Sequence, residues 1–356
     1  MTDWQQFLAD RQAQFVDDEV ISFGETSADY ANLTATISDL GHLGILSAEG
    51  PDSRKFLQGQ STCDFLALSP GDALPGAICN PKGRMITSFQ AQLNSEDEIL
   101  LSMDRALVKT SLAALEKYAA FFKTTLQDHS NAYRQFGLAG TQVKDRLKIL
   151  FPSVPGPRHS VIDKAGNLLT CVSENLFVII TKAGNAQQLW VQLSPDLQAV
   201  GLPWWQLQLI RAGLASVTAT FSEQLIPQML NLQATDAISF SKGCYTGQEV
   251  VARMQYLGKL KRRTYLVLGA SSQLPEPGAE ITTTGSTTTE NATTESTTTE
   301  KTRAIGNVIT AAPTDPGNFA MLAILREMAL DQTELLVAGQ AVPVKFVDLP
   351  YEINSQ

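Results

Sequence analysis

The chain has 356 residues, more than a single hydrophobic core usually serves, so two or three domains are expected. Its formal net charge of −9 argues against a broad surface for duplex DNA, because such binding depends on neutralising many phosphates. No apolar run approaches the roughly 20 residues of a membrane span, and the N-terminus lacks the basic and apolar regions of a signal peptide.

The cysteines and histidines indicate a reducing compartment and no dedicated metal site. Cys63, Cys79, Cys171 and Cys244 are widely spaced and form no CxxC pair, a pattern typical of free thiols in the cytoplasm. The three histidines show no metal-ligand spacing, so no metal-binding residue is proposed from the sequence.

The order of predicted elements favours an α+β fold with much antiparallel sheet. An amphipathic helix is predicted in the first twenty residues, with Trp4, Phe7 and Leu8 on one face. The later predictions are a strand over 41–47, a helix from Asp52, a hairpin over 76–93 turning at 81–83, a helix over 104–122, and short strands over 169–172, 176–181 and 265–268.

Two segments interrupt this order. Residues 152–157 are rich in proline and predict a break in the chain. Residues 281–303 are almost entirely threonine, glutamate and other polar residues, which cannot bury enough surface to fold. We therefore predict a disordered insert at 281–303, between strand-like segments on either side.

The run Lys242-Gly-Cys-Tyr-Thr-Gly-Gln-Glu249 holds the most distinctive chemistry in the chain. Its glycines favour a backbone that turns sharply or approaches a ligand, although a plain loop entering a helix is the alternative. A cation such as Lys242 favours a thiolate at Cys244, which suits a nucleophile, a redox sensor or a transient cluster ligand. The alternative is that Cys244 is a small buried side chain, as most free cysteines are.

This run and its flank resemble the signature of YgfZ-type folate-binding proteins, which are related to the aminomethyltransferase (T-protein) of the glycine cleavage system. The resemblance covers residues 35–350. The matching motifs are Ile226-Pro-Gln228, Asn231-Leu-Gln233, Ile238-Ser-Phe240 and the run 242–249, with weaker matches at Phe56-Leu-Gln-Gly-Gln60, Asn80-Pro-Lys-Gly-Arg-Met85 and Ile210-Arg-Ala-Gly213.

The resemblance implies T-protein-like folate-binding modules with mixed and antiparallel sheets, followed by a small C-terminal β-barrel. The expected divisions are a helical extension (1–34), a folate-binding α+β region of two interleaved modules with a possible break near 152–157 (35–255), and a barrel carrying the insert (256–356). The implied cofactor is tetrahydrofolate or a derivative.

The resemblance also assigns site residues. The functional thiol is Cys244, with Lys242 and Tyr245 beside it. The expected folate-binding residues are Trp205, Arg211, Gln228, Asn231, Gln248, Glu249 and Arg253. Trp204 and Trp205 are adjacent in a helix, so at most one faces a given pocket, and both filling a core is the alternative.

Several positions depart from the family patterns. T-proteins carry an adjacent aspartate pair where this chain has Thr87 and Ser88, and a hydroxyl cannot replace a carboxylate as an acid or base. Arg211 stands where YgfZ-type proteins often have glutamate, and Leu43 falls near an expected tryptophan. The basic run 259–263 fits folate carboxylates or RNA phosphates, or simply a solvated strand entry.

The resemblance implies an accessory protein that supports iron–sulfur cluster assembly or repair, and thereby iron–sulfur enzymes that modify tRNA. Its partners are then iron–sulfur proteins or their assembly machinery, with tRNA only indirectly involved and no membrane or DNA. One alternative is a folate-dependent one-carbon transferase that uses Cys244 in place of the carboxylates. Another is a thiol-based scaffold that binds no folate.

Overall fold

A computed structural model describes residues 1–258, 260–289 and 297–353, with the backbone alone for residues 284–289 and 297–302. Its α-helices are α1 (Asp3–Ala9), α2 (Ser53–Gln58), α3 (Val108–Ala119), α4 (Val143–Leu150), α5 (Ala186–Leu193), α6 (Leu202–Arg211) and α7 (Gln248–Tyr256). The first strands are β1 (Gln14–Val16), β2 (Glu19–Ser22), β3 (Thr36–Asp39), β4 (Leu43–Glu49), β5 (Ala73–Cys79), β6 (Met85–Leu93), β7 (Glu98–Asp104) and β8 (Thr125–Asp128).

The remaining strands form the second sheet and the C-terminal barrel. They are β9 (Tyr133–Ala139), β10 (Ser160–Ile162), β11 (Leu168–Ser173), β12 (Leu176–Lys182), β13 (Gln198–Ala199), β14 (Arg263–Ala270), β15 (Glu280–Thr289), β16 (Thr297–Asp315), β17 (Asn318–Leu325), β18 (Glu334–Val337) and β19 (Gln340–Val347). The predicted hairpin, the helix after Asp104 and the three short strands are confirmed by β5–β6, α3, β11, β12 and β14.

The predicted N-terminal helix is too long. Thr2 and Gln5 form a reciprocal capping box that starts α1, but the helix ends at Ala9. Gln12 and Asp17 then adopt positive φ angles of 71° and 53°, which turn the chain into the β1–β2 hairpin. Hydrophobic spacing therefore identified α1, whereas the turns after it decided where it ends.

The first large sheet is five-stranded and antiparallel, in the order β5-β6-β7-β4-β8. Helices α2 and α3 cover one face, where Phe56, Phe65 and Leu115 are buried. The β5–β6 turn contains Gly83 at φ +69°, a backbone conformation that favours glycine.

The second sheet has the order β10-β11-β12-β9-β3-β13, with β3–β13 as its parallel pair. Because β3 lies here and β4 lies in the first sheet, the two sheets interleave along the chain. The proline-rich segment 152–157 connects α4 to β10, and β9 before it pairs with β12 after it. This segment is a loop within one sheet, so the domain break suggested near it is not present.

The two sheets face each other across a shared core. Ile45 and Leu100 from the first sheet pack with Val178 of the second sheet and with Trp205 of α6. A side-chain hydrogen bond also joins the sheets, since Ser102 donates to Oε1 of Gln135 at 2.6 Å. Helix α6 is therefore partly enclosed between the sheets.

The C-terminal region is a closed six-stranded antiparallel barrel in the order β14-β17-β16-β15-β18-β19. It packs on α6 and α7 through a continuous core that includes Ile210, Val251 and Leu322. The predicted class is confirmed: an α+β region with mixed and antiparallel sheets, followed by a small barrel.

The prediction of disorder over 281–303 is wrong for the residues that the structure describes. Strands β15 and β16 continue beyond the barrel as an antiparallel pair, from Thr283 opposite Arg303 to Thr289 opposite Thr297. Threonine is a good strand former, and backbone pairing needs no apolar side chain, so low hydrophobicity alone did not exclude strands. The tip of the predicted insert, 290–296, lies outside the described residues.

Shortening this hairpin is expected to leave the stability of the protein nearly unchanged. Among the described residues, β15 pairs with β18 only at Ile281 and Thr282, and β16 pairs with β17 only from Gly306 onward. The shortened variant lacks residues 285–301 and joins Thr284 to Thr302 through Asn-Gly, a dipeptide suited to a two-residue turn. Its melting temperature should differ from that of the wild type by no more than about 2 °C. A loss of about 8 °C or more in calorimetry would show that the hairpin supports the barrel.

Candidate functional site

The motifs 56–60 and 80–85 both contact the motif 242–249, which lies more than 150 residues later in the chain. We call residues 242–247 the signature loop. The backbone N–H of Thr246 donates to the carbonyl of Gly59 at 3.2 Å. Gly247 has φ +84°, and a Cβ there would lie 2.5 Å from the carbonyl oxygen of Asn80. The loop therefore requires glycine at 247, because the 80–85 turn occupies the space of a side chain.

Lys242 fixes the signature loop to the segment after α2. Only 7 % of its surface is exposed, and its Nζ donates to the carbonyls of Gln58, Ser61 and Cys63 at 2.6, 2.7 and 2.7 Å. An ammonium has three N–H donors, so all of them are used. Burial lowers the pKa of Lys242 to about 8. Its hydrogen bonds thus go to the backbone and none is left for the thiol of Cys244.

Tyr245 and Gln248 lie beside this anchor. The Tyr245 ring centroid is 5.0 Å from Nζ of Lys242, a cation–π distance, and burial raises the pKa of its phenol. Oε1 of Gln248 accepts from the backbone N–H of Tyr245 at 3.3 Å, so this amide joins the loop to the start of α7. Both residues stabilise the loop conformation in this structure.

Cys244 is the exposed thiol of the signature loop. Next to it, a Cβ added to Gly243 would meet no atom within 4 Å, so this part of the loop faces open space. The other three cysteines are buried, and burial raises the pKa of Cys63 and Cys79 to about 12 and that of Cys171 to about 11. Cys244 is therefore the thiol that a partner or reagent can reach.

Gln228 and Asn231 each present a buried amide oxygen without a hydrogen-bond partner in the described residues. Nε2 of Gln228 donates to the carbonyl of Val251 at 2.7 Å, and Nδ2 of Asn231 donates to the carbonyl of Thr264 at 2.9 Å. Buried polar atoms are rarely left unpaired, so these two oxygens are candidate ligand acceptors.

Trp205 is a core residue and not a free stacking surface. It is 2 % exposed, and a Cβ at Gly137 would lie 2.6 Å from its ring. Trp204 is also buried, and its Nε1 donates to Thr36 at 2.9 Å. The packing alternative holds for both rings, because α6 is enclosed by the sheets and the barrel. The assignment of Trp205 as a folate-binding residue stays a prediction, and its burial leaves no exposed ring face for stacking in this structure.

Arg211, Glu249 and Arg253 lie at the surface. The guanidinium carbon of Arg211 is 5.9 Å from the centroid of the Trp204 ring, and partial burial lowers its pKa. Glu249 and Arg253 line a groove on α7. Leu43, where a tryptophan was expected, is partly buried against the core between the sheets.

The two hydroxyls that replace the T-protein carboxylates have structural partners. Thr87 is fully buried and donates to the carbonyl of Ser88 at 3.0 Å. Oγ of Ser88 accepts from the backbone N–H of Val217 at 2.9 Å, which ties β6 to the segment after α6. Both side chains are uncharged hydroxyls with structural hydrogen bonds, so neither acts as a charged acid or base.

One titratable residue was not selected from the sequence. Asp39 ends β3, is 5 % exposed, and accepts a hydrogen bond from Nε1 of Trp4 at 2.9 Å. Burial raises its pKa to about 6, and the Trp4 bond and the charge of Arg134 oppose this shift. The strand sequence Thr36-Ile-Ser-Asp39 is mostly polar and carries no signal that singles out this carboxylate.

Comparison with known proteins identifies the family. The tRNA-modifying protein YgfZ of Yersinia pestis (strain Pestoides F) is 31 % identical over 326 residues, covering 91 % of this chain and 94 % of that protein. The chain belongs to the YgfZ family. The YgfZ relative of Photorhabdus laumondii is 34 % identical over 254 residues, which cover 70 % of this chain and 76 % of the relative.

Two further comparisons concern the fold of this YgfZ-family chain. The GCVT N-terminal domain family matches residues 10–155. The glycine cleavage system aminomethyltransferase T of Bartonella henselae superposes with a TM-score of 0.73 over 98 % of this chain and 96 % of its own. At 15 % identity, this similarity establishes a common fold.

Among the described residues, no helix is long and apolar enough to cross a membrane. No three His, Cys, Asp or Glu side chains in that part of the chain are grouped so as to hold a metal ion.

Proposed function

We propose that this protein is a cytoplasmic, folate-binding accessory factor that supports iron–sulfur cluster assembly or repair, and through it the iron–sulfur enzymes that modify tRNA. The observation that carries the proposal is the exposed thiol of Cys244 on a loop that Lys242 holds in place. Relatives over most of the chain are named tRNA-modifying proteins, which supports the link to tRNA.

The arrangement at Cys244 suits transient contact with a partner. A thiolate can ligate a soft metal centre, or attack a partner's disulfide and release its second sulfur as a thiolate, and both require access from solvent. The anchored loop keeps this thiol exposed instead of letting it collapse into the core. The large negative charge of the chain supports a protein partner over direct tRNA binding.

A folate fits the polar groups beside α7. Its pterin ring carries N–H donors, and the unpaired oxygens of Gln228 and Asn231 are acceptors that match them. A reduced folate supplies a carrier for one-carbon units. The residues that hold it in this proposal are Gln228 and Asn231.

Tetrahydrofolate is expected to bind the wild-type protein saturably in isothermal titration calorimetry. Gln228→Met keeps a similar volume but removes the acceptor, so the dissociation constant should rise about tenfold. Gln92→Met is the matched control, because Gln92 is also buried with one bonded amide nitrogen and one unpaired oxygen. Absence of binding by the wild type would remove folate from the proposed function.

Aminomethyl transfer is the alternative function, and we expect no such turnover. Thr87 and Ser88 are engaged with the backbone and provide no carboxylate. Loss of a general acid or base costs about 10²-fold or more in rate. Ammonia release from an aminomethylated lipoyl carrier should therefore fall at least about 10²-fold below that of a T-protein assayed in parallel. Turnover within about tenfold of the T-protein would favour the transferase.

A further inference from the structure

Helix α7 carries an apolar stripe on its solvent side. Val250 and Met254 lie four residues apart on one face of α7, and Leu257 follows directly after the helix ends at Tyr256. Together with Glu249, Arg253 and Gly258 they line a groove of about 250 Å³. Leu257 is 85 % exposed, an unusual position for a large aliphatic side chain.

A further exposed residue with a large apolar ring, Tyr256, lies next to Leu257 at the C-terminal end of the stripe. Tyr256 is 68 % exposed, and its ring is held edge-on against Phe240 at a centroid distance of 6.1 Å. Phe240 precedes the signature loop, so the apolar surface continues toward the segment that carries Cys244. Contiguous exposed apolar surface of this kind commonly marks a site of protein association.

Basic residues lie close to the stripe in the fold or in the sequence. A Cβ at Gly83 would lie 2.7 Å from Cβ of Val250, so Lys82 and Arg84 flank its N-terminal end. Lys261 and Arg262 follow the groove closely in the chain. In the described residues, no carboxylate lies within 4.0 Å of the charged group of any of these four or of Arg253.

The local charge contrasts with that of the whole molecule. The chain carries a formal net charge of −9, yet the charged residues bordering the stripe are mainly cations. Glu249 opposes them from within the groove, and Glu223 is nearby but accepts from Nδ2 of Asn80 at 2.9 Å. The surface is therefore complementary to a ligand with both apolar and acidic side chains.

We propose that the α7 groove binds an acidic amphipathic helix of a partner protein next to Cys244. This inference rests on the proposed accessory function and names the partner chemistry for it. Aliphatic side chains from the partner fill the space between Val250, Met254 and Leu257, while its carboxylates meet the surrounding cations. The aliphatic stripe favours a protein over RNA, because it offers nothing to phosphates.

The test uses a defined probe, a fluorescein-labelled peptide of 15 residues with leucine at i, i+3, i+4 and i+7 and glutamate at most other positions. Fluorescence anisotropy should show saturable binding that weakens as salt rises. Leu257→Glu should weaken it at least about tenfold, and Lys261→Glu combined with Arg262→Glu should do the same. Phe121→Glu is the matched control, since Phe121 is 84 % exposed but does not line the groove, and it should have no effect.

Three results would overturn the inference. The first is no binding of the probe at about 1 mM, and the second is equal binding of a peptide with lysine in place of glutamate. The third is a loss of peptide binding in Phe121→Glu equal to that in Leu257→Glu. A tRNA transcript that displaces the peptide and fails to bind Leu257→Glu would assign the groove to RNA. Titration of Leu257→Glu with tetrahydrofolate separates the two proposals, because folate binding should be unchanged when peptide binding is lost.

Discussion

Replacing Cys244 with serine is expected to abolish function while leaving the fold intact. Its side chain is exposed, so the smaller and more polar serine costs the core nothing. Serine lacks the reactivity of a thiolate and its affinity for soft metals. In a strain lacking its own family member, Cys244→Ser should leave tRNA modification by iron–sulfur enzymes at the level of the empty vector.

The controls separate chemistry from folding. Ser241→Ala changes another exposed residue close to the signature loop and should restore modification fully. Iodoacetamide should modify one thiol per native chain, at Cys244, and all four after unfolding, because burial protects the others. Full rescue by Cys244→Ser would transfer the functional role to the folate site.

Lys242→Met is expected to cause the largest loss of stability among the substitutions considered. Methionine fills a similar volume but donates no hydrogen bond, so three carbonyl oxygens near Cys63 lose their partner. Leaving a buried acceptor unpaired costs about 1–3 kcal/mol, so the free energy of unfolding should fall by about 3 kcal/mol or more. Thermal and urea denaturation would measure the loss.

Lys117→Met provides the comparison for this substitution. Lys117 is exposed on α3 and should change stability by less than about 0.5 kcal/mol. Equal melting temperatures for Lys242→Met and the wild type would contradict the anchoring role. Because the anchor also positions the signature loop, Lys242→Met at a permissive temperature should restore tRNA modification poorly.

The sequence predicted much of the fold because local patterns agree with the final structure. Alternation between apolar and polar residues and the turn at Gly83 identify the β5–β6 hairpin, and a run of periodic apolar positions identifies α3. The sequence also indicated which motifs belong together. It could not show that Gly59, Asn80 and Thr246 lie side by side, because those contacts join segments more than 100 residues apart.

The predictions from sequence were wrong where the structure of a segment depends on which distant strand it pairs with. Threonine-rich β15 and β16 become strands because each provides the other's backbone hydrogen bonds, which composition does not reveal. The proline-rich segment 152–157 looks like a boundary, yet β9 and β12 on its two sides share one sheet. In both places, a local signal was overridden by hydrogen bonding between distant parts of the chain.

The sequence by itself determined the family and the α+β region with its barrel, and it singled out the signature loop as the candidate site. Only the tertiary structure decided what each side chain does there. Lys242 is an anchor, Trp205 is part of the core, and Cys244 is left at the surface. The physical reason is that exposure and hydrogen-bond partners come from segments distant in sequence, and no local pattern records which of them will be neighbours.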